Sequence, residues 1–320
     1  MQGITNRWNG HRIKKTLLNN VVYIFGIVTL IVLSLSSPYF LTSKNLLSIL
    51  RSSSTMMVVG TGLTFALLVG QLDLSVGANL RFCASIAAIL VVKRGWNPYI
   101  GMLLMLVLGV CVGAVNGILV TKVKLNAWLV TLAMKLVLVG IVVLLTKTIA
   151  INMPKDITQF RTIKILGLPV FVFVLFLLVV VMQLILKYTT FGRNIVAVGS
   201  NKAAARKLGI NVEKYTFYAF LICGLFCGIG ANIISINLGS ITRELGDGYE
   251  FTAVTAIVLG GVSLAGGKGS VFPSAFAGVM IVTMLENGLS ILGVDPYYFQ
   301  LIRALIIFVM MYLDSIKNKV

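Results

Sequence analysis

The chain has 320 residues, of which 58% are hydrophobic and 11% charged, with a formal net charge of +18. A water-soluble domain of this length would expose far more charge, and apolar runs close to 20 residues do not match the short alternating strands of a membrane β-barrel. The remaining class is all-α, a polytopic helical membrane protein, whose surplus of Lys and Arg marks loops retained on the cytoplasmic side during insertion rather than a nucleic-acid surface.

A basic tail over residues 1–17 precedes the first apolar run, which is followed by Ser36-Ser37-Pro38, a poor cleavage site, and is therefore kept as a span. About ten candidate spans follow in order, near 18–36, 54–72, 77–92, 99–120, 127–146, 167–186, 216–238, 251–264, 270–288 and 297–313. An even number returns both ends to one side. Cytoplasmic termini place Arg7, Lys14, Lys122, Lys124, Arg193, Lys202, Arg206 and Lys268 inside, and leave Lys93, Arg94, Arg161 and Arg243 outside with Asp156, Glu244, Asp247, Glu250 and Asp295. The whole of 1–320 reads as one transmembrane domain.

Early in the chain, Val69-Gly-Gln-Leu-Asp-Leu-Ser-Val-Gly77 ends one apolar run. The same kind of block, Leu259-Gly-Gly-Val-Ser-Leu-Ala-Gly-Gly267, ends another at constant offset. Two related halves with broken helices at matching positions are a transporter pattern, because interrupted helices turn backbone groups toward a passage. The span count makes the repeat parallel; one re-entrant hairpin counted as a span would make it inverted.

Asp73, with Gln71, Ser75 and Asn79 beside it, is a carboxylate between apolar runs and so a candidate for the translocation path. The alternative is an interfacial Asp that opens the next helix. Asn116, Ser263, Glu286 and Asn287 join the candidate path; Glu286-Asn287 suits hydrogen bonding to a polyol or a local structural pair. Arg81, Lys135 and Arg303 also fall within apolar runs and must face protein or water, by pairing or snorkelling. Gly109, Gly113 and Gly117 make a flat stripe on the fourth span, as Gly224 and Gly228 do on the seventh, fit for close packing within the chain or for a dimer seam. Cys83, Cys111, Cys223 and Cys227 sit in apolar runs without metal-binding spacing.

The long polar interval is 187–215. Within it, residues 200–209 read as a short helix: Ser200 or Asn201 caps the start, Ala203, Ala204 and Ala205 hold the turn, and Gly209 stops it. Such a helix between spans is suited to docking. Gly266-Gly267-Lys268-Gly269-Ser270 imitates a phosphate loop, but position 262 is Val and Gly269 stands where Ser or Thr is required. The only histidine is His11, and no nucleophile with a base can be assembled, so catalysis within the chain is not expected.

Together these residues resemble the ribose/monosaccharide-type permease family of bacterial ATP-binding-cassette importers over most of the chain. The resemblance is carried by 40–47, by 72–77, by Phe191-Gly-Arg193 with Ala203 to Gly209, by the glycine block 259–270, and by Gly293-Val-Asp-Pro296 with Gln300. It implies a multi-pass protein of the bacterial inner membrane, paired with a second permease copy or a sister permease. It also implies a separate cytoplasmic ATPase that holds ATP and Mg, leaving no cofactor in this chain, and a periplasmic or lipid-anchored sugar-binding protein. The loop 187–215 would be the ATPase-coupling loop, with Arg193, Asn201, Lys202, Ala203, Ala204, Ala205, Arg206 and Gly209 at the contact. Departures are Val139-Gly140 in place of an Arg-Gly pair, with Lys135 one turn earlier, and Asn126-Ala127 in place of a proline. Other cargoes within the superfamily are nucleosides and branched-chain amino acids. A stand-alone carrier coupled to ions through Asp73 and Glu286 is the reading from a different class.

Overall fold

The computed structural model describes residues 22–319. The basic tail 1–17 and the first residues of the opening span lie outside them. Ten apolar helices follow one another: seven are long and apolar enough to cross a membrane, and three are shorter. They are α1 (Val22–Ser36), α2 (Ser43–Leu68), α3 (Val76–Ala88, prolonged by a π turn to Lys93), α4 (Pro98–Thr121), α5 (Ala127–Thr146), α7 (Val170–Tyr188), α10 (Val212–Leu238), α11 (Tyr249–Leu259), α12 (Phe276–Ile291, preceded by a π turn from Val271) and α13 (Tyr297–Lys319, its shorter apolar part ending at Val309). Between them lie the single turn α6 (Lys155–Thr158) and the polar helices α8 (Thr190–Ser200) and α9 (Lys202–Lys207). A 3-10 turn (Gln159–Arg161) follows α6, and among the described residues there are four two-residue strands: β1 (Ile151–Asn152) pairs antiparallel with β4 (Ser240–Ile241), and β2 (Lys164–Ile165) with β3 (Leu168–Pro169).

Helix starts follow side-chain chemistry. Asn97, Asn126, Asn201 and Asn211 each accept a backbone N–H from the first turn of α4, α5, α9 and α10. These caps satisfy donors that the helix itself leaves free. Thr42 does the same for α2. That cap makes α2 begin eleven residues before the expected 54, because Lys44 and Arg51 are carried on the helix rather than in a loop. The expected span 251–264 is also corrected: α11 stops at Leu259, and 260–270 is an irregular, glycine-rich segment.

α2, α3 and α10 form the centre of the bundle and are mostly buried, whereas α4, α5 and α7 present long apolar flanks outward. α4 lies against α10 along the glycine stripe. A Cβ at Gly109 would stand 2.3 Å from the Gly224 carbonyl oxygen, and one at Gly113 would stand 2.4 Å from that of Phe220. The stripe is therefore an internal seam in which two backbones touch.

The two halves of the sequence repeat come together. The N–H of Gly267 donates to the Leu68 carbonyl at 2.9 Å, and Gly70 lies against the carbonyl of Ala265. The end of α2 and the glycine-rich segment that follows α11 therefore meet on one side of the bundle. This side also carries α8 and α9 and is called the α9 face below. β1, β4 and the loop before α7 lie on the far face.

Candidate functional site

The polar interval folds as two helices rather than one. α8 was not expected from sequence; the Thr189 hydroxyl caps it by accepting the Gly192 N–H at 3.1 Å. Its buried side, Gly192, Ile195 and Val198, packs into the main core. Phe191 stacks against Tyr215 and Tyr218, and Asn194 donates to the Tyr215 hydroxyl at 2.6 Å, fixing α8 to the start of α10.

α9 follows as anticipated. Asn201 accepts the Ala204 N–H at 3.0 Å, Ala205 is buried beneath, and Gly209 takes the left-handed conformation with φ of 78°. Ala203, Ala204 and Leu208 face outward, and Leu208 is 78% exposed. Lys202, Lys207 and Arg206 surround this small apolar knob. Arg206 pairs with Glu213 at 2.5 Å in an exposed position, where such a pair contributes little to stability. Arg193 is exposed on α8 near the Tyr188 carbonyl.

Gly199 ties this pair of helices to the core. A Cβ there would stand 1.7 Å from the Leu68 carbonyl oxygen and 2.6 Å from the Gly267 nitrogen. The last turn of α8 is thus in backbone contact with the end of α2 and with the glycine segment after α11. No side chain lies between these backbones to absorb a displacement of α8.

A cavity of about 590 Å³ opens beside α9. Its walls include Gln71, Thr121, Lys124, Asn126, Lys202, Arg206 and Thr216. Partial burial, ahead of the neighbouring Arg206 charge, holds the Lys202 pKa below its ordinary value.

Two residues beyond Gln71 the chain is buried. Asp73 is 2% exposed, and its Oδ1 accepts from the Ser75 N–H at 2.8 Å and the Ser75 hydroxyl at 2.6 Å. Asn116 on α4 donates to the Ser75 hydroxyl at 3.0 Å, while its own Oδ1 is buried without a partner. Thr131 on α5 accepts from the Leu74 N–H at 3.0 Å. Asn79, one turn into α3, accepts from the Cys83 thiol at 3.3 Å. Asp73 therefore shapes the turn into α3 and also heads a polar thread through α3, α4 and α5.

Not all predicted path residues join this thread. Ser263 lies in the turn after α11, where its hydroxyl accepts from the Ala265 N–H at 3.3 Å. Glu286 and Asn287 lie near the far end of α12: Glu286 pairs with Arg303 at 2.6 Å, and Asn287 accepts from Asn45 at 2.9 Å. Arg303 therefore reaches a carboxylate inside the bundle. Arg81 pairs with Asp247 and Lys135 with Glu250, so every basic residue noted within an apolar run has an acidic partner. Glu250, grouped by sequence with exposed outer acids, is 1% exposed. The residues missed were Gly199, Leu208 and Glu250; the sequence signal for Glu250 was a lone acid at the head of an apolar run.

A helical membrane bundle with two glycine-broken segments, an internal polar thread and a protruding knob defines a multi-pass transport permease. The family described as "Branched-chain amino acid transport system / permease component" matches residues 45–311, and the chain belongs to it. The chain is 34% identical over 310 residues to the ribose import permease protein RbsC of Escherichia coli K12, covering 95% of this chain and 96% of that protein. It is 32% identical over 299 residues to the D-allose transport system permease protein AlsC of the same strain, covering 93% and 91%. It is 30% identical over 301 residues to the autoinducer 2 import system permease protein LsrC of Photorhabdus luminescens, covering 94% and 89%. No solved structure matches.

Proposed function

We propose that this chain is the membrane-spanning subunit of an ATP-driven importer that moves a monosaccharide across the bacterial cytoplasmic membrane. The relatives named for ribose and D-allose favour a monosaccharide over the amino acid in the family's own description. A separate cassette ATPase supplies the energy by docking on α9, an extracytoplasmic binding protein delivers the sugar, and a second permease copy or sister permease completes the passage. The α9 face is then cytoplasmic, with both termini on that side, as the basic residues near α8 and α9 favour.

The observation that carries this reading is the backbone contact among Gly199, Leu68 and Gly267 beneath an exposed apolar knob. Closure of the ATPase presses α9; α8 transmits the displacement; the end of α2 and the segment 260–270 shift with it. The Asp73 turn follows α2 directly, so the polar thread is carried along. Gln71, Asp73, Ser75, Asn79, Asn116 and Ser263 are the groups by which the passage would offer weak, replaceable hydrogen bonds to hydroxyls. Weak binding suits release, since specificity is set by the delivering protein.

Reconstitution tests the proposal. The purified chain alone in liposomes should take up no sugar under a proton or sodium gradient, and uptake should appear when its ATPase and binding protein are added with ATP. Accumulation driven by the ion gradient alone would establish a stand-alone carrier instead.

A further inference from the structure

α11 has 11 residues. At about 1.5 Å per residue it spans only about half of a hydrocarbon core of about 30 Å. The rest of the distance on the far side is taken by the turn 242–248, which dips inward to meet α3. Its Gly246 lies against Gly77 backbone to backbone: a Cβ at Gly77 would stand 2.3 Å from the Gly246 carbonyl oxygen and 2.9 Å from Glu250 Oε2. The starts of two broken helices, one following the Asp73 turn and the other following 242–248, are thus pressed together.

Charge holds them there. Arg81 on α3 donates to the carbonyls of Leu245 at 2.7 Å and Arg243 at 2.6 Å and pairs with Asp247. Lys135 on α5 pairs with Glu250 in the first turn of α11, and its ammonium lies 5.7 Å from the centre of the Phe251 ring. Glu250 is 1% exposed, and its second oxygen, Oε2, is buried without a partner.

We propose that the Lys135–Glu250 pair is the far-side seal of the passage, and that a polyol passes when this pair parts and a cargo hydroxyl takes up the free Glu250 oxygen. The inference rests on the importer reading above. A hydroxyl both donates and accepts, so one can satisfy a carboxylate oxygen and another an ammonium while the two are separated. A purely apolar closure would offer the cargo nothing as it opened. Glu250 is buried and Lys135 part-buried, so removing one partner leaves the other uncompensated and loosens the α11 start, whereas exchanging the two keeps the balance.

The test measures ATP-independent swelling of proteoliposomes containing the permease assembled with its ATPase and binding protein, in erythritol, in ribitol and in sucrose. Lys135→Met and Glu250→Gln should each raise permeability to the two polyols severalfold while sucrose remains excluded. The exchange Lys135→Glu with Glu250→Lys should restore a tight membrane. Asp247→Asn changes an exposed side chain and leaves the buried Arg81 its bonds to the carbonyls of Leu245 and Arg243, and should give a smaller polyol leak; it decides the matter if the Lys135 and Glu250 variants fail to assemble. Tight membranes in the assembled variants, an equal leak of sucrose, or a leak that the charge exchange leaves in place would each overturn the seal. ATP-driven uptake by the wild-type complex is scored in the same vesicles. Its absence rejects the importer reading, while its presence with tight variants rejects the seal alone.

Discussion

Gly199 has no space for a side chain: the position a Cβ would take is already occupied by the Leu68 carbonyl and the Gly267 amide. Gly199→Val must push α8 away from the end of α2, a strain of about 1–3 kcal/mol by the usual cost of overpacking. The expected outcome is a protein that inserts and binds its ATPase but transports poorly, read as ATP hydrolysis persisting while sugar uptake falls. Asp73 makes a different prediction. In Asp73→Asn the amide oxygen still accepts from Ser75, so α3 should form and the complex assemble, with uptake reduced because the carboxylate is lost from the polar thread. Asp73→Ala removes the acceptor from two buried donors, and should lower thermal stability by about 1–3 kcal/mol as well. Comparing melting and uptake in the two variants separates a path residue from a helix-opening residue: if Asn supports full uptake, the path role of Asp73 is rejected. That Asp73, Arg81 and Lys135 mattered was legible in the chain, because charges within apolar runs are costly. The partners of Arg81 and Lys135 were not, since Asp247 and Glu250 lie more than a hundred residues away at positions that sequence alone assigns to solvent.

α9 was legible as an element because its signals are local: the Asn201 cap, three alanines and Gly209. α8 was hidden. Two of its eleven residues are glycines, and what stabilises it is its aromatic anchoring to α10 rather than intrinsic propensity. The end of α11 was misplaced for a related reason: hydropathy stays high through Val262, so only the glycines at 260 and 261 mark the break. Leu208, one of the most exposed apolar residues beside a polar loop, gives α9 its apolar surface. Leu208→Asp should therefore abolish ATPase association in pull-down from detergent while leaving the monomer's melting temperature unchanged, since the side chain touches nothing that a fold requires. Retained association would place the contact elsewhere on the α8–α9 pair. The seam between α4 and α10 makes the contrasting case. Gly113→Leu enlarges a residue whose neighbour is backbone, so here the loss should appear as failure to assemble rather than as uncoupling.

At the scale of the molecule, the end of α2 and the glycine segment after α11 both meet the last turn of α8, so a single displacement of α8 would reach both repeat blocks. The far side shows the complementary feature: α3 and α11 start against one another at Gly77 and Gly246. The α9 face carries an open cavity of about 590 Å³ lined in part by Gln71, while the backbone contact of Gly77 with Gly246 joins α3 to the turn 242–248. On the importer reading proposed above, ATP binding would move these two ends in opposite senses. Hydrogen exchange on the assembled transporter should show this as opposite changes in two segments. With a non-hydrolysable ATP analogue, amides of 262–270 should become more protected as α8 presses on them, and amides of 242–250 less protected as that turn withdraws from α3. Equal changes of one sign would mean that the nucleotide only tightens or loosens the bundle, and the two broken helices would then not act as a linked pair.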